Sequence, residues 1–344
     1  MALSYQELGK YARIGALVAG GLVSSLYTPS LETRLYAGGP AESEKNKPKE
    51  DKNKKTSEKK NPSADKKKEE PAVNLEEKLL AEINSYRNAV GVDAVTFDEK
   101  ASEHCTAHAR YLVMNMNDAS QGLSGHNEDP ALPGYTEEGA KIAKQSIIGL
   151  GGPAGHPELA VKLHMATPLH RLPLLTWEVD NIGIGYAKLD DTLASVISFH
   201  YRVMMNKAKM NKDPVIFPYP NQKDVPLAYA GGERPDPISE DNDKKAGFPI
   251  TVTWYGGNPP RNLTAQLKNL KTGKLVDSWI STPDYPLVKN DWANLGVYVM
   301  AKDPLLPRTG YEVTLSGVHK ELLWEKKWQF TTGGISAISQ ATIR

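Results

Sequence analysis

The sequence contains a single cysteine, Cys105, in 344 residues. One thiol cannot form an intramolecular disulfide, so a disulfide-stapled scaffold and a cysteine-rich zinc module are both excluded. The chain also lacks an excess of charge, because 42 basic residues are balanced by 41 acidic ones. Without a basic field to neutralise phosphates, nucleic acid is excluded as the first choice of partner. The length is sufficient for two or three packed domains.

The first 40 residues have the pattern of an export signal. Lys10 and Arg13 precede an apolar run over 14–26, which is too short and too rich in glycine to span a bilayer comfortably. We predict that residues 1–40 are a signal peptide, with an N-terminal membrane anchor as the alternative. Either reading makes the protein secreted or associated with the cell envelope.

Residues 41–73 are predicted to be a disordered linker. Between Glu42 and Glu70 there are 11 Lys and 8 acidic residues, and no aromatic residue. Such a segment cannot bury enough apolar surface to fold. We interpret it as a solvated spacer, with weak attachment to an anionic envelope as the alternative.

Apolar residues at helical spacing begin after this linker. Four helices are predicted, from Asn74 to Gly91, from Asp98 to about Met116, from Thr136 to the glycine-rich turn at 149–153, and from Pro157 to Thr167. Strands are predicted at 181–186 and 194–203. Helices followed by strands favour an α+β fold for residues 74–205.

The last third of the chain has a different period. Residues 206–246 are rich in Pro, Asn and Asp, as a connection between domains would be. Beyond them the apolar period changes to two, which predicts half a dozen short strands in an antiparallel β-sandwich over 247–334. Trp254 and Trp328 are predicted to be core residues of this sandwich.

The most specific pattern is the run Ala160–Arg171, followed by Ile182-Gly-Ile-Gly-Tyr186. Together with Asn84, Arg87 and the loop His126, it resembles the bacterial branch of the CAP superfamily (cysteine-rich secretory, antigen five and pathogenesis-related proteins) over residues 74–205. The resemblance implies a three-layer α-β-α sandwich with a solvent-facing cavity. Two histidines and two acidic residues line that cavity in the family, and in some members it holds a divalent metal.

Carried over by position, His170 matches the second cavity histidine and His126 matches the first. Glu137 or Glu138 is the candidate for one cavity acid, whereas Thr167 stands where many eukaryotic relatives have the other. A further difference is that His164 replaces the habitual tryptophan. Arg171, next to His170, would clamp an anionic ligand or fix the turn by an ion pair. The predicted cleft residues are His126, Glu137, Glu138, Thr167, His170 and Arg171. His126 and His170 are the candidate ligands of a divalent metal such as zinc, with the third ligand unassigned.

Other candidates for chemistry have a structural interpretation. His104 and His108 share a helix face, but the residues between them lack the glutamate of the His-Glu-x-x-His metalloprotease motif. We predict that both are structural and that Cys105 is a small buried hydrophobe. Residues 304–315 and 328–333 resemble the bacterial Ig-like modules of extracellular proteins, which act as spacers or adhesion units.

These observations predict a non-catalytic, monomeric binding module, extracellular or attached to the envelope, whose cleft recognises a small molecule, lipid, glycan or peptide. One alternative is a metal-assisted hydrolase that uses the same cleft, with Glu137 or Glu138 as general base. Another is a structural or adhesion protein that acts through the Ig-like domain. Binding is favoured over catalysis because the carried-over set of cavity residues is incomplete.

Overall fold

The computed structural model of the chain describes residues 74–115, 125–201, 213–238, 245–255, 259–288 and 295–334. The predicted signal and linker, residues 1–73, lie outside these ranges. The described residues all belong to one compact unit. Within them, no helix combines the length and the apolar character needed to cross a lipid bilayer.

The helices lie in the first half of the described chain, where the apolar spacing predicted them. Leu79 and Ile83 of the predicted stripe are buried on the first helix, although Asn74 makes no side-chain capping bond there. Cys105 and His108 are buried on the second helix, as predicted. The helices are α1 (Leu75–Ala89), α2 (Glu99–Asn115), α3 (Glu137–Ala143), α4 (Gly152–Gly155), α5 (Pro157–Met165) and α6 (Arg171–Leu175).

The same half of the chain contains a four-stranded sheet with the strand order β1-β3-β4-β2. Its strands are β1 (Thr96–Phe97), β2 (Ser146–Leu150), β3 (Val179–Leu189) and β4 (Thr192–Tyr201). The two predicted strands, β3 and β4, are confirmed and pair antiparallel, whereas β1 joins β3 in parallel. The prediction that the third helix continues to the turn at 149 is wrong. It ends at Ala143, because the β-branched residues Ile147 and Ile148 pair with β4 as strand β2.

Two glycines of β3 let helix α2 lie directly on the sheet. A Cβ atom on Gly185 would lie 2.2 Å from the backbone nitrogen of Thr106, and one on Gly183 would lie 2.7 Å from Ala101. Contacts this short are excluded for real side chains, so the Ile-Gly-Ile-Gly pattern is explained by close packing of helix on strand.

The second half of the chain forms two antiparallel sheets, and the predicted period of two is confirmed there. One sheet has the order β5-β6-β9-β8 and the other the order β11-β10-β7. Trp254 and Trp328 are buried, as predicted. The strands are β5 (Val215–Phe217), β6 (Ile250–Thr253), β7 (Arg261–Asn269), β8 (Ser278–Ser281), β9 (Gly296–Ala301), β10 (Gly310–His319) and β11 (Leu322–Thr331).

The two halves share a hydrophobic core. One cluster of buried side chains runs from α1, α5 and α6 through β3 and β4 into the strands of the second half. Polar contacts cross the same boundary: the Trp177 indole donates to the Tyr255 carbonyl (3.0 Å), and the Tyr255 hydroxyl donates to the Leu172 carbonyl (2.7 Å). β5 lies in the predicted connection and pairs with β6. The α+β class is confirmed. Trp177, just after α6, belongs to the helical half and is bonded to the second half through Tyr255.

Candidate functional site

His170 lies in a tight turn between helices α5 and α6. The turn begins where α5 ends at Met165, and it is closed by a hydrogen bond from the Thr167 hydroxyl to the His164 carbonyl, 2.8 Å long. The His170 ring packs edge-on against the His164 ring, with 5.2 Å between the centroids. His170 keeps 21% of its side-chain surface exposed, whereas His164 is buried. In this turn, the partly exposed His170 ring therefore covers the buried His164 ring.

His126 reaches the same region from the loop before α3. Its Nδ1 atom lies 2.8 Å from the carbonyl oxygen of Ala143, at the end of that helix. Because a carbonyl oxygen only accepts, Nδ1 carries the proton and donates it. Burial lowers the pKa of His126, against the raising effect of this hydrogen bond.

His126 lies close enough to His170 for a charge on His126 to act on the His170 imidazole, although 44 positions separate the two residues in the sequence. Burial, and to a smaller extent the positive charge that His126 can carry, lowers the pKa of His170 to about 4. Burial and the neighbouring His170 also lower the pKa of His164, well below its ordinary value. The three rings are therefore neutral at pH 7, and they form one polar cluster, which we call the histidine cleft.

An acid that sequence analysis did not identify completes the histidine cleft. Glu233 comes from the segment between β5 and β6, and its Oε1 atom accepts backbone N–H bonds from Leu169 (2.8 Å) and His170 (2.5 Å). The same oxygen lies 3.4 Å from His170 Nδ1. Burial raises the pKa of Glu233 to about 8, against the opposing effects of these N–H groups and of Arg171.

No periodic pattern in the sequence marks Glu233 as a site residue. The signal that does exist is the pair of glycines before it. Gly231 and Gly232 have φ angles of +75° and +71°, a conformation that other residues rarely adopt. Two consecutive left-handed residues make a turn that carries Glu233 into the interior.

The acids predicted for the cleft lie elsewhere. Glu137 and Glu138 are exposed on the first turn of α3. Glu137 pairs with Lys141 one turn later, at 2.5 Å, and this contact lowers the pKa of the Glu137 carboxyl. Among the contacts of the described residues, none joins either glutamate to His126 or His170. Surface pairs of this kind contribute little to stability.

A second buried histidine–glutamate pair supports the loop that carries His126. His108 Nδ1 lies 2.7 Å from Glu128 Oε1, and His108 Nε2 lies 2.9 Å from the Gly125 carbonyl oxygen. Glu128 also accepts the backbone N–H of Thr136, at 3.0 Å. These contacts fix both ends of the loop, in agreement with the structural role predicted for His108.

Two further predicted cleft residues, Thr167 and Arg171, are buried, and each lowers the pKa of the Glu233 carboxyl. Thr167 closes the turn, as described above. The Arg171 guanidinium donates to the carbonyls of Met165 and Pro249, each at 2.7 Å, and to the Thr251 hydroxyl at 3.3 Å. Because Arg171 is fully buried, it does not line the cleft and does not clamp a ligand there.

The histidine cleft has fewer ligand side chains than a metal site normally needs. His126 and His170 supply two imidazoles, but no group of three or more His, Cys, Asp or Glu side chains is arranged around an ion position in the described part of the chain. A catalytic zinc site normally has three protein ligands. The described residues therefore do not fit a complete zinc site.

Residues 80–207 match the cysteine-rich secretory protein family, CAP. This match covers a little over a third of the chain, and it contains the three histidines of the cleft but not Glu233. The predicted resemblance to the CAP superfamily is confirmed over this segment. No curated protein matches the chain.

Solved structures with which the chain shares similarity include an extracellular protein containing an SCP domain from Bacillus anthracis. The two are 14% identical, with 35% of this chain and 39% of that one covered and a TM-score of 0.25. The chain thus spans well under half the length of that protein. An outer surface protein from Borrelia burgdorferi is 18% identical, with 37% of this chain and 92% of that one covered and a TM-score of 0.27.

Proposed function

We propose that the protein is a non-catalytic binding module, secreted or attached to the cell envelope, and that the histidine cleft binds its ligand. The observation that carries this proposal is the convergence of His126 and His170 from separate segments. Each ring has its Nδ1 atom beside a buried acceptor, the Ala143 carbonyl or the Glu233 carboxyl. Placing neutral polar rings in a partly buried cluster is costly unless a partner satisfies them. His170 keeps 21% of its side-chain surface exposed, so a ligand polar group would reach the cluster at this ring.

Binding is favoured over hydrolysis by the positions of the acids. A general base must lie within hydrogen-bond reach of the water that it activates. Glu137 and Glu138 are exposed on α3, whereas Glu233 is buried with one oxygen occupied by two backbone N–H groups. The described residues therefore supply a cluster of polar histidines but no acid placed as an open general base.

The architecture that we propose around the cleft has three layers. On one side of the first sheet, α1, α5 and α6 pack against Ile182 and Ile184. On the other side, α2 and α3 pack against Ala187, Ala194 and Val196. The three- and four-stranded antiparallel sheets of the second half would form the Ig-like sandwich. Export rests on the predicted signal at 1–40, and the predicted linker at 41–73 would act as the spacer.

The experiment that tests the proposal is a binding screen with the purified chain. Envelope lipids, glycans and peptides are tested for saturable binding to the wild-type protein, to His170→Ala and to His126→Ala. His319→Ala, on the exposed end of β10, is the matched control. We expect one ligand class to bind, with binding lost in the two cleft variants and retained in the control. Absence of saturable binding to every class would overturn the proposal.

A metal-assisted hydrolase is the second candidate, because the Nδ1 contacts of His126 and His170 resemble the outer contacts that orient histidine ligands in metal sites. Elemental analysis of protein purified without added metal separates the two functions. A stoichiometric divalent ion that is lost in His126→Ala and His170→Ala would favour the hydrolase. Metal-free protein without hydrolytic activity would remove it.

Adhesion through the second half is the third candidate. Leu322 and Leu323 are 72% and 82% exposed at the turn between β10 and β11, and such residues at a hairpin tip are typical of a contact surface. Because the two halves share a core, deleting the second half would unfold the first. The substitutions Leu322→Ser and Leu323→Ser test adhesion instead, with Leu306→Ser as the exposed control. Unchanged surface attachment in the tip variants would exclude this function.

A further inference from the structure

The three most exposed large apolar side chains of the described residues lie in two turns of the second half. They are Tyr285, which is 79% exposed, and the Leu322 and Leu323 side chains of the β10–β11 turn. Tyr285 belongs to a turn after β8, which reciprocal backbone hydrogen bonds with Thr282 close at 3.1 and 3.2 Å. We call Tyr285, Leu322 and Leu323 the apolar tip. Exposed apolar side chains that gather in one place mark an interaction surface.

Two polar contacts bring these turns to the same end of the sheet, at the start of β7. Asp284 Oδ2 accepts the backbone N–H of Asn262, at 2.9 Å. The guanidinium of Arg261, one residue earlier, donates to Glu321 Oε1 at 2.5 Å. Each of the two acids directly precedes a residue of the apolar tip in the sequence. The apolar tip is therefore one surface, formed by two turns that adjacent residues of β7 hold.

The directions of the two leucines favour a fluid partner over a rigid one. Leu322 and Leu323 are consecutive residues of β11, and consecutive side chains of a strand point to opposite faces. A rigid protein surface that contacts one face of the hairpin leaves the other leucine in water. A lipid layer surrounds a projecting turn and accepts both side chains. Tyrosine, with an apolar ring and a polar hydroxyl, is typical of the membrane–water interface.

The charges beside the apolar tip are balanced. Arg261 and Lys320 supply two positive charges, and both side chains are exposed. Asp284 and Glu321, which are also exposed, supply two negative charges. Such a set complements zwitterionic headgroups, which carry one charge of each sign, and gains nothing from an anionic surface. Because charged side chains are costly in hydrocarbon, the contact is confined to the headgroup layer.

We propose that the apolar tip inserts into the headgroup layer of a zwitterionic phospholipid membrane. This inference rests on the adhesion candidate above for the use of the β10–β11 turn. It adds Tyr285 to that surface and names the chemical class of the partner. It does not depend on the ligand of the histidine cleft.

The experiment reports on the apolar tip locally, in the full chain. Leu323→Cys or Tyr285→Cys is labelled with bimane, an apolar fluorophore that stands in for the side chain it replaces. Cys105 is fully buried, so labelling of the native chain is directed to the introduced thiol. Leu306→Cys is the matched control, because Leu306 is also exposed but precedes β10, whereas the leucines of the apolar tip follow it. We expect phosphatidylcholine vesicles to shift the emission of the two tip labels to the blue, and a quencher on the lipid to reduce it, with the control label unchanged.

A second substitution tests whether the two turns act together. In the labelled Leu323→Cys chain, Tyr285→Ser removes apolar area from the other turn. We expect it to raise the lipid concentration for half-maximal quenching by about threefold or more. Leu306→Ser in the same labelled chain is expected to leave that concentration unchanged. Equal effects of the two serine substitutions would contradict a single surface.

The remaining outcomes each decide the proposal. Tip labels that do not respond to vesicles would overturn it, even where another segment carries the chain to the lipid, because the readout is local. A blue shift that grows with protein concentration without lipid would show that a second copy covers the apolar tip, and would also overturn it. A stronger response to anionic vesicles than to phosphatidylcholine would contradict the balance of charge. If Leu322→Ser abolishes surface attachment while the tip labels ignore vesicles, adhesion stands and the lipid partner is wrong.

Discussion

The guanidinium of Arg171 packs against the rings of both Phe217 and Phe248, with its central carbon 4.7 and 4.8 Å from their centroids. Both rings come from the second half of the chain, on or next to β5 and β6. The same guanidinium donates to Pro249 of that half and to Met165 at the end of α5. Arg171, the residue next to His170, therefore connects the helical half of the chain to the strands of the second half. The geometry of the histidine cleft depends on both.

Replacing Arg171 is expected to destabilise both halves of the chain. Arg171→Met keeps much of the side-chain volume against the two rings, but it leaves buried carbonyls of Met165 and Pro249 without their donors. We expect the free energy of unfolding to fall by about 3 kcal/mol, measured by urea denaturation.

Arg261→Met is the matched control for that measurement. Arg261 pairs with Glu321, and both side chains are mostly exposed. Its replacement is expected to change the free energy of unfolding by about 0.5 kcal/mol or less. Equal losses in the two variants would contradict the role of Arg171 in linking the two halves of the chain.

Part of the fold and of the histidine cleft could be predicted from the sequence. The histidines were identified because a local motif, Ala160–Arg171, carries one of them and a loop near α3 carries the other. The strands β3, β4 and those of the second half follow from alternation of apolar residues. Strand β2 was missed because a five-residue apolar run directly after a helix has no period of its own.

Contacts between distant segments are the part that the sequence did not predict. Glu233 and His170 are 63 positions apart, and their contact is set by the Gly231–Gly232 turn and by packing of the two halves. Glu137 and Glu138 were predicted for the cleft from their place beside a motif. Their position on the first turn of α3 exposes them instead, because acids there are favoured by the helix dipole and by water.

The pH dependence of stability above neutrality is expected to report on Glu233. Its pKa is raised to about 8 in the folded chain from an ordinary value of 4.5, so between these values the folded state holds a proton that the unfolded state has released. Stability therefore falls as pH rises through this window. The cleft histidines, with lowered pKa values, act in the opposite sense but only below about pH 6.5.

Measurements between pH 6.5 and 8 isolate the contribution of Glu233. We expect the wild type to lose up to about 2 kcal/mol of unfolding free energy over this interval, as followed by urea denaturation. Glu233→Gln cannot ionise, so its curve is expected to be flat there. A wild-type curve that is flat or that rises would show that Glu233 is ionised throughout.

His164 is expected to be a source of instability that a substitution can remove. Its Nε2 atom is buried and has no hydrogen-bond partner within the described residues. His164→Phe keeps a ring against His170 and removes the unsatisfied nitrogen, so we expect unfolding free energy to rise by about 1 kcal/mol at pH 7.

The gain from His164→Phe should grow in acid. Because the pKa of His164 is lowered in the folded chain, protonation of the unfolded chain below pH 6.5 destabilises the wild type but not the variant. Urea denaturation at pH 7 and pH 5.5 measures both effects, with His319→Phe as the exposed control. A loss of stability that is the same at both pH values would mean that a partner satisfies the nitrogen.

Cys105 provides a probe of the packing between α2 and β3. It is fully buried, and burial raises the pKa of its thiol to about 11. As the only cysteine in the chain, it is expected to react with a disulfide reagent at pH 8 roughly a thousandfold more slowly in the native protein than in concentrated guanidinium chloride. Similar rates in the two conditions would mean that the thiol is open to solvent.

The substitution Gly185→Ala turns this probe into a test of the helix–sheet contact. The added Cβ would lie 2.2 Å from the backbone nitrogen of Thr106 and 2.7 Å from the Cβ of Cys105, so α2 must move away from β3 to accommodate it. We expect native labelling of Cys105 to accelerate by about tenfold or more. At Gly125 an added Cβ meets only Ile148, at 3.7 Å, so Gly125→Ala is expected to label at the wild-type rate. If Gly185→Ala labelled no faster than Gly125→Ala, the close approach of α2 to β3 would not be the reason for glycine in this strand.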